Sequence, residues 1–351
     1  MRRRQLLRLL AASALAPVLL TGCGDGAVPS PSVSGAEDLS GQLKGSGASL
    51  PDAYYHRMIG DFERIAPGAT ISYQAVGSAT GKTEFARYLT DFAGTDSAVT
   101  PADSITPGSF VYVPTVAAPI TIAYNLTGVP DLRLRPGTLA AIFQRDITNW
   151  NDPAIAADNP AAALPGQAIT VVHRADGSGT TDDVTRYLVA AAPSWRLGSG
   201  QTIDWPTDTL AGERNTGVAQ LIRQHPGAIG YVDLRDAAEA GLATAALRNR
   251  DGRFVGPTLE AATAALAAAQ VHADLTYDTL DAPGAGAYPL TAPTYLLVRT
   301  GYGDFAKARL VKGFLTYLLN EGQGSADDVG FAPLPEVVRL QALAQLDRIR
   351  G

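Results

Sequence analysis

Arg174-Ala175-Asp176-Gly177-Ser178-Gly179-Thr180-Thr181 is the stretch on which the fold of this chain depends. An apolar run, 169–172, precedes it, and a segment with helical spacing, 182–191, follows it. This order predicts a strand, a glycine turn and a helix, because glycines allow the tight turn and hydroxyl residues cap the helix. Free N–H groups and the positive end of the helix dipole favour an anion there, and Arg174 adds a planar two-pronged donor. The other interpretation is a well-capped structural turn that binds nothing, and the turn alone leaves both open.

Two similar units lie closer to the N-terminus. Gly45-Ser46-Gly47-Ala48-Ser49-Leu50-Pro51 precedes a segment with helical spacing, 52–65. Gly77-Ser78-Ala79-Thr80-Gly81 follows a strand-like run, 70–76, and precedes a helix predicted over 82–89. A short predicted strand then ends in a polar loop that contains Asp96. Strands that alternate with helices in this way predict α/β layers with mainly parallel sheets.

Composition and charge narrow the class of protein. The chain has 351 residues, which suits two domains, and carries a formal net charge of −6. Without residues 1–22 it keeps 24 basic and 34 acidic residues, a charge of −10. This balance argues against nucleic acid as a partner, because phosphate backbones are bound by basic patches. It does not exclude a small anion held by local dipoles in a buried site.

The N-terminus predicts export. A basic start, Met1-Arg2-Arg3-Arg4, and an apolar run too short to span a bilayer indicate a signal peptide over 1–22. Leu20-Thr21-Gly22-Cys23 resembles a bacterial lipobox, in which the cysteine is lipidated, with palmitate among the acyl chains, and becomes the mature N-terminus. The alternative is ordinary secretion with a chance cysteine. Residues 23–43 are rich in Gly, Ser and Pro and are predicted to be a flexible tether to a membrane-held lipid anchor.

Enzymatic sites find little support in the sequence. The run 76–83 has three residues between its glycines where a P-loop needs four, and no stretch reads G-x-S-x-G. The four histidines are scattered without metal-ligand spacing. What remains is a cradle of neutral donors with one arginine and one carboxylate, Asp96. That carboxylate accepts a hydrogen bond from phosphate, which keeps a proton near neutral pH, and repels sulfate, which keeps none.

Several ordered motifs carry a resemblance to a known family. They are Gly45 to Pro51, Tyr73-Gln74-Ala75-Val76-Gly77-Ser78, Asp91-Phe92-Ala93-Gly94-Thr95-Asp96, Phe143-Gln144 with Thr148-Asn149-Trp150, His173 to Thr180, and Pro226-Gly227-Ala228-Ile229-Gly230-Tyr231. From Gly45 to Pro335 the chain resembles the phosphate-binding proteins of bacterial high-affinity ABC phosphate transporters, the PstS type, and is most similar to actinobacterial lipoprotein members. The resemblance implies a periplasmic-binding-protein fold of type II, with two α/β lobes joined by a two-segment hinge.

The resemblance also implies roles for particular residues. Ser49 and Ser78 would donate from hydroxyl and amide groups, and Leu50 from its backbone N–H. Asp96 would accept the phosphate proton. Arg174 would be the cationic contact, with Asp176 fixing its geometry, and the shell would be completed by Ser178, Gly179 and Thr180. Leu50 stands where many members have phenylalanine, and Lys82 departs from a small Ser-Gly-Gly type run, with its role left open.

The implied lobes are 44–116 with 290–351, and 117–289, with crossings near 115–122 and 287–294. The implied function is extracytoplasmic binding of inorganic phosphate and its delivery to the permease subunits of an ABC importer, by a monomer that needs no cofactor or metal and is not an enzyme. Three alternatives stay open. They are a binding protein for sulfate or molybdate, a phosphate sensor or adhesin without a transport role, and a secreted phosphatase. We expect Lys82→Ala to have little effect on phosphate binding.

Overall fold

The computed structural model describes residues 33–351. The strands are β1 (Ser40–Gly47), β2 (Gly68–Ala75), β3 (Phe92–Thr95), β4 (Phe110–Tyr124), β5 (Arg133–Leu134), β6 (Thr170–Arg174), β7 (Leu210–Gly212), β8 (Ala228–Asp233), β9 (Ala243–Thr244), β10 (Ala246–Arg248), β11 (Phe254–Val255), β12 (Gln270–Val271), β13 (Tyr277–Asp278) and β14 (Thr291–Arg299). The α-helices are α1 (Asp52–Ile65), α2 (Ser78–Ala86), α3 (Pro136–Phe143), α4 (Pro153–Asp158), α5 (Gly179–Ala191), α6 (Arg214–Gln224), α7 (Leu234–Glu239), α8 (Leu259–Ala268), α9 (Phe305–Leu319), α10 (Glu321–Gly324) and α11 (Glu336–Gln345). Within residues 33–351, no helix has the length and apolar character needed to cross a membrane.

One large sheet organises the fold, with the strand order β2-β1-β3-β14-β4-β8-β6-β7 and β9 also paired with β4. β1 is parallel to β2 and β3, and β6 is parallel to β7 and β8. β14 and β4 lie between these two parallel trios and are antiparallel to their neighbours. The predicted mainly parallel sheet is therefore correct for the trios and wrong for the centre. β4 and β14 are buried almost throughout, and a continuous apolar run does not reveal the direction of a strand.

β4 is shared by two halves of this sheet. Its residues 110–119 pair with β14, whereas residues 120–124 pair with β8. We call β1, β2, β3, β14 and residues 110–119 the first half, and β6, β7, β8, β9 and residues 120–124 the second half. The change of partner falls inside 115–122, and β14 begins inside 287–294, the two segments in which the sequence predicts crossings.

The carboxyl ends of the six parallel strands define where a ligand can bind. β1, β2 and β3 end at Gly47, Ala75 and Thr95, and β6, β7 and β8 end at Arg174, Gly212 and Asp233. The chain leaves β1, β2, β6 and β7 through short turns that lead into α1, α2, α5 and α6. Ligands of open α/β sheets bind in the crevice outside the carboxyl ends of the strands.

Two helices begin earlier than the sequence predicts. α2 begins at Ser78 rather than residue 82, and α5 begins at Gly179 rather than residue 182. Gly77 has a φ of 87°, in the left-handed region, so the break between strand and helix comes before Ser78. The hydroxyl residues assigned to the turns therefore already belong to the first turns of the helices, where backbone N–H groups have no intrahelical partner. The prediction for α1 is confirmed, with the same bounds, 52–65.

The flexible tether predicted over residues 23–43 extends too far, because its last residues belong to the folded part of the chain. Val33 and Leu39 are buried, and β1 begins at Ser40, which pairs with Gly68 of β2. Residues 40–42 are exposed, so their polar composition looked like a linker although they form a strand. The predicted signal peptide, Cys23 and the earlier part of the tether lie outside the described residues.

Candidate functional site

The turn after β1 supplies Ser49 and Leu50, both in the first half. The amide of Ala48 donates to the carbonyl of Gly94 at 2.9 Å, which fixes this turn beside the end of β3. Leu50 is 2% exposed, and the buried Ser49 Oγ has no hydrogen-bond partner among residues 33–351. A buried hydroxyl without a partner is costly, so this one is suited to a ligand rather than to the fold.

Ser78 and Asp96 meet at the ends of β2 and β3. The amide of Asp96 donates to Ser78 Oγ at 3.3 Å. Asp96 is 3% exposed, and its Oδ1 has no partner in the described part of the chain. Burial raises the pKa of Asp96 to about 7, although a hydrogen bond from Thr294 and the charge of Arg174 act in the opposite direction. Burial therefore disfavours the ionised form of this carboxyl group and brings its titration close to neutral pH.

The turn between β6 and α5 supplies the second-half residues. Ser178 Oγ accepts a hydrogen bond from the amide of Thr181 at 3.2 Å and so caps α5, which leaves the hydroxyl hydrogen able to donate outward. Thr180 is fully buried, and its Oγ1 lacks a partner within the described range. Tyr231 holds this turn in place, because its hydroxyl lies 2.7 Å from Thr181 Oγ1 and 3.1 Å from the amide of Arg174.

Arg174 is 4% exposed and is held on two sides. Its Nε donates to Asp176 Oδ1 at 2.7 Å and its Nη2 donates to Asp176 Oδ2, so Asp176 is the partner of Arg174, as the family resemblance implies, and takes up its two-pronged edge. Nη1 donates to Asn215 Oδ1 at 2.7 Å. Burial alone would raise the pKa of Asp176, but the hydrogen bond and charge of Arg174 outweigh it, and the pKa is lowered. A guanidinium has five N–H donors, so one on each terminal nitrogen is left for a ligand.

Sequence reasoning missed Asn215 and Asp233. Asn215 is fully buried in the first turn of α6, where its Nδ2 donates to Asp233 Oδ2 at 2.8 Å. Its amide thus lies between the arginine and a second buried carboxylate. The available signal was the polar run 212–217 between a strand and a helix, a further unit of the kind already recognised.

The two halves meet at these turns. A Cβ built on Gly179 would lie 2.7 Å from Ser78 Oγ and 2.7 Å from Asp96 Cβ. The amide of Ala79 donates to the carbonyl of Gly177 at 3.2 Å. Ser49 and Leu50 line a cavity of about 170 Å³ together with Asn215 and Asp233 of the second half. The structure therefore brings Ser78, Asp96 and Gly179 together, and it places Ser49 and Leu50 in a cavity with Asn215, the partner of Arg174.

Lys82 is not at the surface. It is 2% exposed, and its Nζ lies 3.0 Å from Asp103 Oδ2, 3.2 Å from the carbonyl of Ala98 and 3.5 Å from Ser97 Oγ. Its positive charge is paired within the first half, and its contacts fix the loop that follows Asp96.

This geometry is that of a two-lobed binding protein for a small oxyanion. The cleft offers hydroxyl and helix N–H donors, a guanidinium that is largely balanced by Asp176, and the buried carboxyl groups of Asp96 and Asp233. Such a set binds a tetrahedral anion by directed hydrogen bonds rather than by net charge.

Comparison with known proteins identifies the family. Residues 32–321 match the PBP superfamily domain. The chain is 34% identical to a phosphate-binding protein PstS of Methanocaldococcus jannaschii, covering 96% of this chain and 93% of that protein. It is also 34% identical to phosphate-binding protein PstS 3 of Mycobacterium leprae, covering 91% of this chain and 92% of that protein. The chain belongs to the PstS family of phosphate-binding proteins.

A solved structure of similar shape supports the fold assignment. It is a high-affinity periplasmic phosphate-binding protein, PfluDING, bound with phosphate, with a TM-score of 0.72 and 21% identity over 87% of this chain and 94% of that chain. The fold is the two-lobed periplasmic-binding-protein fold of type II, as the family resemblance implies.

Proposed function

We propose that this chain binds inorganic phosphate outside the cytoplasm and delivers it to the permease subunits of an ABC phosphate importer. The observation that carries the proposal is the buried carboxylate Asp96, which faces Ser78 and Gly179 among donors that otherwise suit any oxyanion. A carboxylate in a ring of donors favours an anion that brings its own proton. Phosphate has such a proton near neutral pH. The names of the relatives of this chain, phosphate-binding proteins, support the same ligand.

The binding set draws on both halves of the sheet. Ser49, Leu50 and Ser78 donate from the first half, and Asp96 accepts the ligand proton. From the second half, Arg174 donates with its two remaining N–H groups, and Ser178, Gly179 and Thr180 donate from the first turn of α5. The unpartnered Ser49 Oγ, Asp96 Oδ1 and Thr180 Oγ1 support this assignment, because phosphate would satisfy all three.

Asp176 acts through Arg174 and does not touch the ligand. With Arg174 paired in this way, its positive charge is largely cancelled before the anion arrives. Phosphate is then held mainly by short, buried hydrogen bonds, so we expect affinity to depend weakly on ionic strength.

The two halves of the sheet correspond to the proposed lobes, 44–116 with 290–351, and 117–289. Residues on both sides contact the anion, so phosphate favours the arrangement in which the halves meet. The strand pairings support a first crossing at residues 119–120, slightly later than the boundary taken from the sequence.

Lipidation at Cys23 would hold the protein at the outer face of the cytoplasmic membrane, where a monomer would pass phosphate to the permease. A catalytic role is not part of the proposal, since the relatives are phosphate-binding proteins. A binding protein for another oxyanion, a phosphate sensor and a secreted phosphatase are the rivals that experiment has to separate.

Titration calorimetry with phosphate, arsenate and sulfate is the direct test. We expect phosphate and arsenate to bind one to one, and sulfate to bind more weakly than phosphate at pH 8, where most of Asp96 is ionised. Arg174→Ala should weaken phosphate binding at least tenfold, since it removes charge-assisted hydrogen bonds of about 1.5–3 kcal/mol each. Asp96→Asn should allow sulfate to bind. Asp131 is an exposed carboxylate elsewhere, so Asp131→Asn should leave the affinities for all three anions unchanged.

Several outcomes would count against the proposal. Tight sulfate binding by the unmutated protein would overturn the role of Asp96, and hydrolysis of a phosphomonoester by pure protein would favour the phosphatase. Unchanged phosphate uptake after deletion of the gene would favour a sensor, whereas loss of uptake that the intact gene restores is the result expected of a transport role.

A further inference from the structure

Gln201 contacts both sides of the crevice without belonging to the proposed anion-binding set. It lies between α5 and β7, in the second half. Its carbonyl accepts a hydrogen bond from the amide of Ser178 at 3.0 Å, beside the anion-binding turn. Its Nε2 donates to Ser97 Oγ at 2.5 Å, on the first half. Ser97 is the residue directly after Asp96, so Gln201 links the two turns that are proposed to clamp the ligand, one through its backbone carbonyl and the other through its side chain.

The acceptor of this bond is held in place by groups on its own side of the crevice. Ser97 is 3% exposed, and its amide donates to Thr95 Oγ1 at 3.2 Å. On its other side lies the buried Lys82, with Nζ 3.5 Å from Ser97 Oγ and 3.0 Å from Asp103 Oδ2. All these groups belong to the first half, so Gln201 approaches an acceptor whose position does not depend on closure.

The chemistry of the pair suits a contact that forms and breaks. An amide and a hydroxyl are neutral, so bringing them together beside Asp96 adds no charge to the site. Both groups can return to water when the halves separate, which makes the bond reversible at modest cost. A contact that exists only in the closed arrangement stabilises that arrangement relative to the open one.

We propose that Gln201 and Ser97 form a closing contact that slows the release of bound phosphate. The proposal rests on the proposed function of the crevice. Because the contact forms when the halves meet, it acts on opening and leaves the first encounter with phosphate unchanged. Release from a closed cleft requires opening, so the contact affects the dissociation rate more than the association rate.

Gln201→Ala is the test, with stopped-flow measurement of phosphate association and release by tryptophan fluorescence. Trp205, whose ring stacks on His173 at 4.8 Å, lies four residues away and serves as the reporter. We expect the dissociation rate to rise about 3- to 10-fold, the worth of one hydrogen bond, and the association rate to stay within about twofold. The melting temperature of the ligand-free protein should not change.

Gln224→Ala, at the exposed end of α6, is the matched control and should leave both rates unchanged. Ser97→Ala should accelerate release as Gln201→Ala does, and the double variant should release no faster than the faster single variant. If the unmutated protein binds no phosphate, the proposed function fails. If it binds phosphate and Gln201→Ala releases it at the unmutated rate, only the closing contact is refuted. A slower association or a lower melting temperature for Gln201→Ala would show a structural role instead and would equally overturn the proposal.

Discussion

Replacing Gly179 by alanine adds a methyl group where the two halves of the sheet touch. The new Cβ would lie 2.7 Å from Ser78 Oγ, 2.7 Å from Asp96 Cβ and 3.0 Å from Asp96 Oδ2. Ordinary contacts of a Cβ begin at 3.4 Å, so the two turns have to separate by about 0.7 Å. Asp96 Cβ is fixed to the backbone and cannot rotate away, so the halves themselves must move.

The cost falls on the closed arrangement alone. Overpacking of a tight contact costs about 1–3 kcal/mol, which corresponds to a loss of phosphate affinity of about 5- to 150-fold. The same substitution should stabilise the ligand-free fold rather than weaken it. Gly179 is the first residue of α5 and does not need a positive φ, so alanine should raise the free energy of unfolding of the ligand-free protein by a few tenths to 1 kcal/mol.

Calorimetric titration with phosphate and thermal melting without ligand measure the two effects separately. Gly137→Ala is the matched control, because Gly137 lies in the first turn of α3 and an added Cβ meets nothing within 4 Å. Weak binding together with unchanged or increased melting temperature for Gly179→Ala is the expected result. Phosphate affinity within twofold of the unmutated protein would refute the reasoning, since it would mean that these turns do not approach each other when phosphate binds.

Two further predictions concern charges near the crevice. Lys82→Met should lower the free energy of unfolding by about 3 kcal/mol, because it leaves the half-buried Asp103 without its cation. Denaturant titration measures this decrease, with Lys312→Met as the control. An unchanged denaturation midpoint for Lys82→Met would contradict the ion pair between Lys82 and Asp103. Because burial raises the pKa of Asp96 to about 7, its neutral form, which can donate to sulfate, becomes dominant as pH falls through 7. Sulfate affinity should therefore increase by at most tenfold per pH unit between pH 8 and pH 7 and level off below about pH 6. Asp96→Asn should remove this dependence, and a sulfate affinity independent of pH in the unmutated protein would speak against it.

The sequence predicts the strand–turn–helix units well because the residues that determine each unit lie within the unit itself. Apolar spacing predicts α1, and glycine and hydroxyl residues mark the turns after β1, β2 and β6. These signals act within a few residues and do not require knowledge of what packs against them. The candidate site follows from them, because the carboxyl ends of parallel strands gather such turns at one edge.

What the sequence did not predict depends on distant partners. The direction of β4 and β14 depends on which strands they pair with, and burial removes the alternating pattern that would reveal their faces. Asn215, in α6, holds Arg174 in place only because Arg174 of β6 and Asp233 of β8 both contact its side-chain amide. Ser40 is polar because it lies at an exposed end of β1, a position that composition alone cannot distinguish from a linker.

The place of β14 has a consequence for how the chain is made. β14 lies between β3 and β4, although about 170 residues separate β4 from β14 in the chain. The first half therefore cannot complete its sheet until residue 299 has left the ribosome, and before that β3 and β4 have no strand between them. Pairings over such long separations form slowly. If the protein is exported, such a delay would keep the nascent chain in a state that can be threaded through a translocation channel and would postpone folding until it reaches the other side of the membrane.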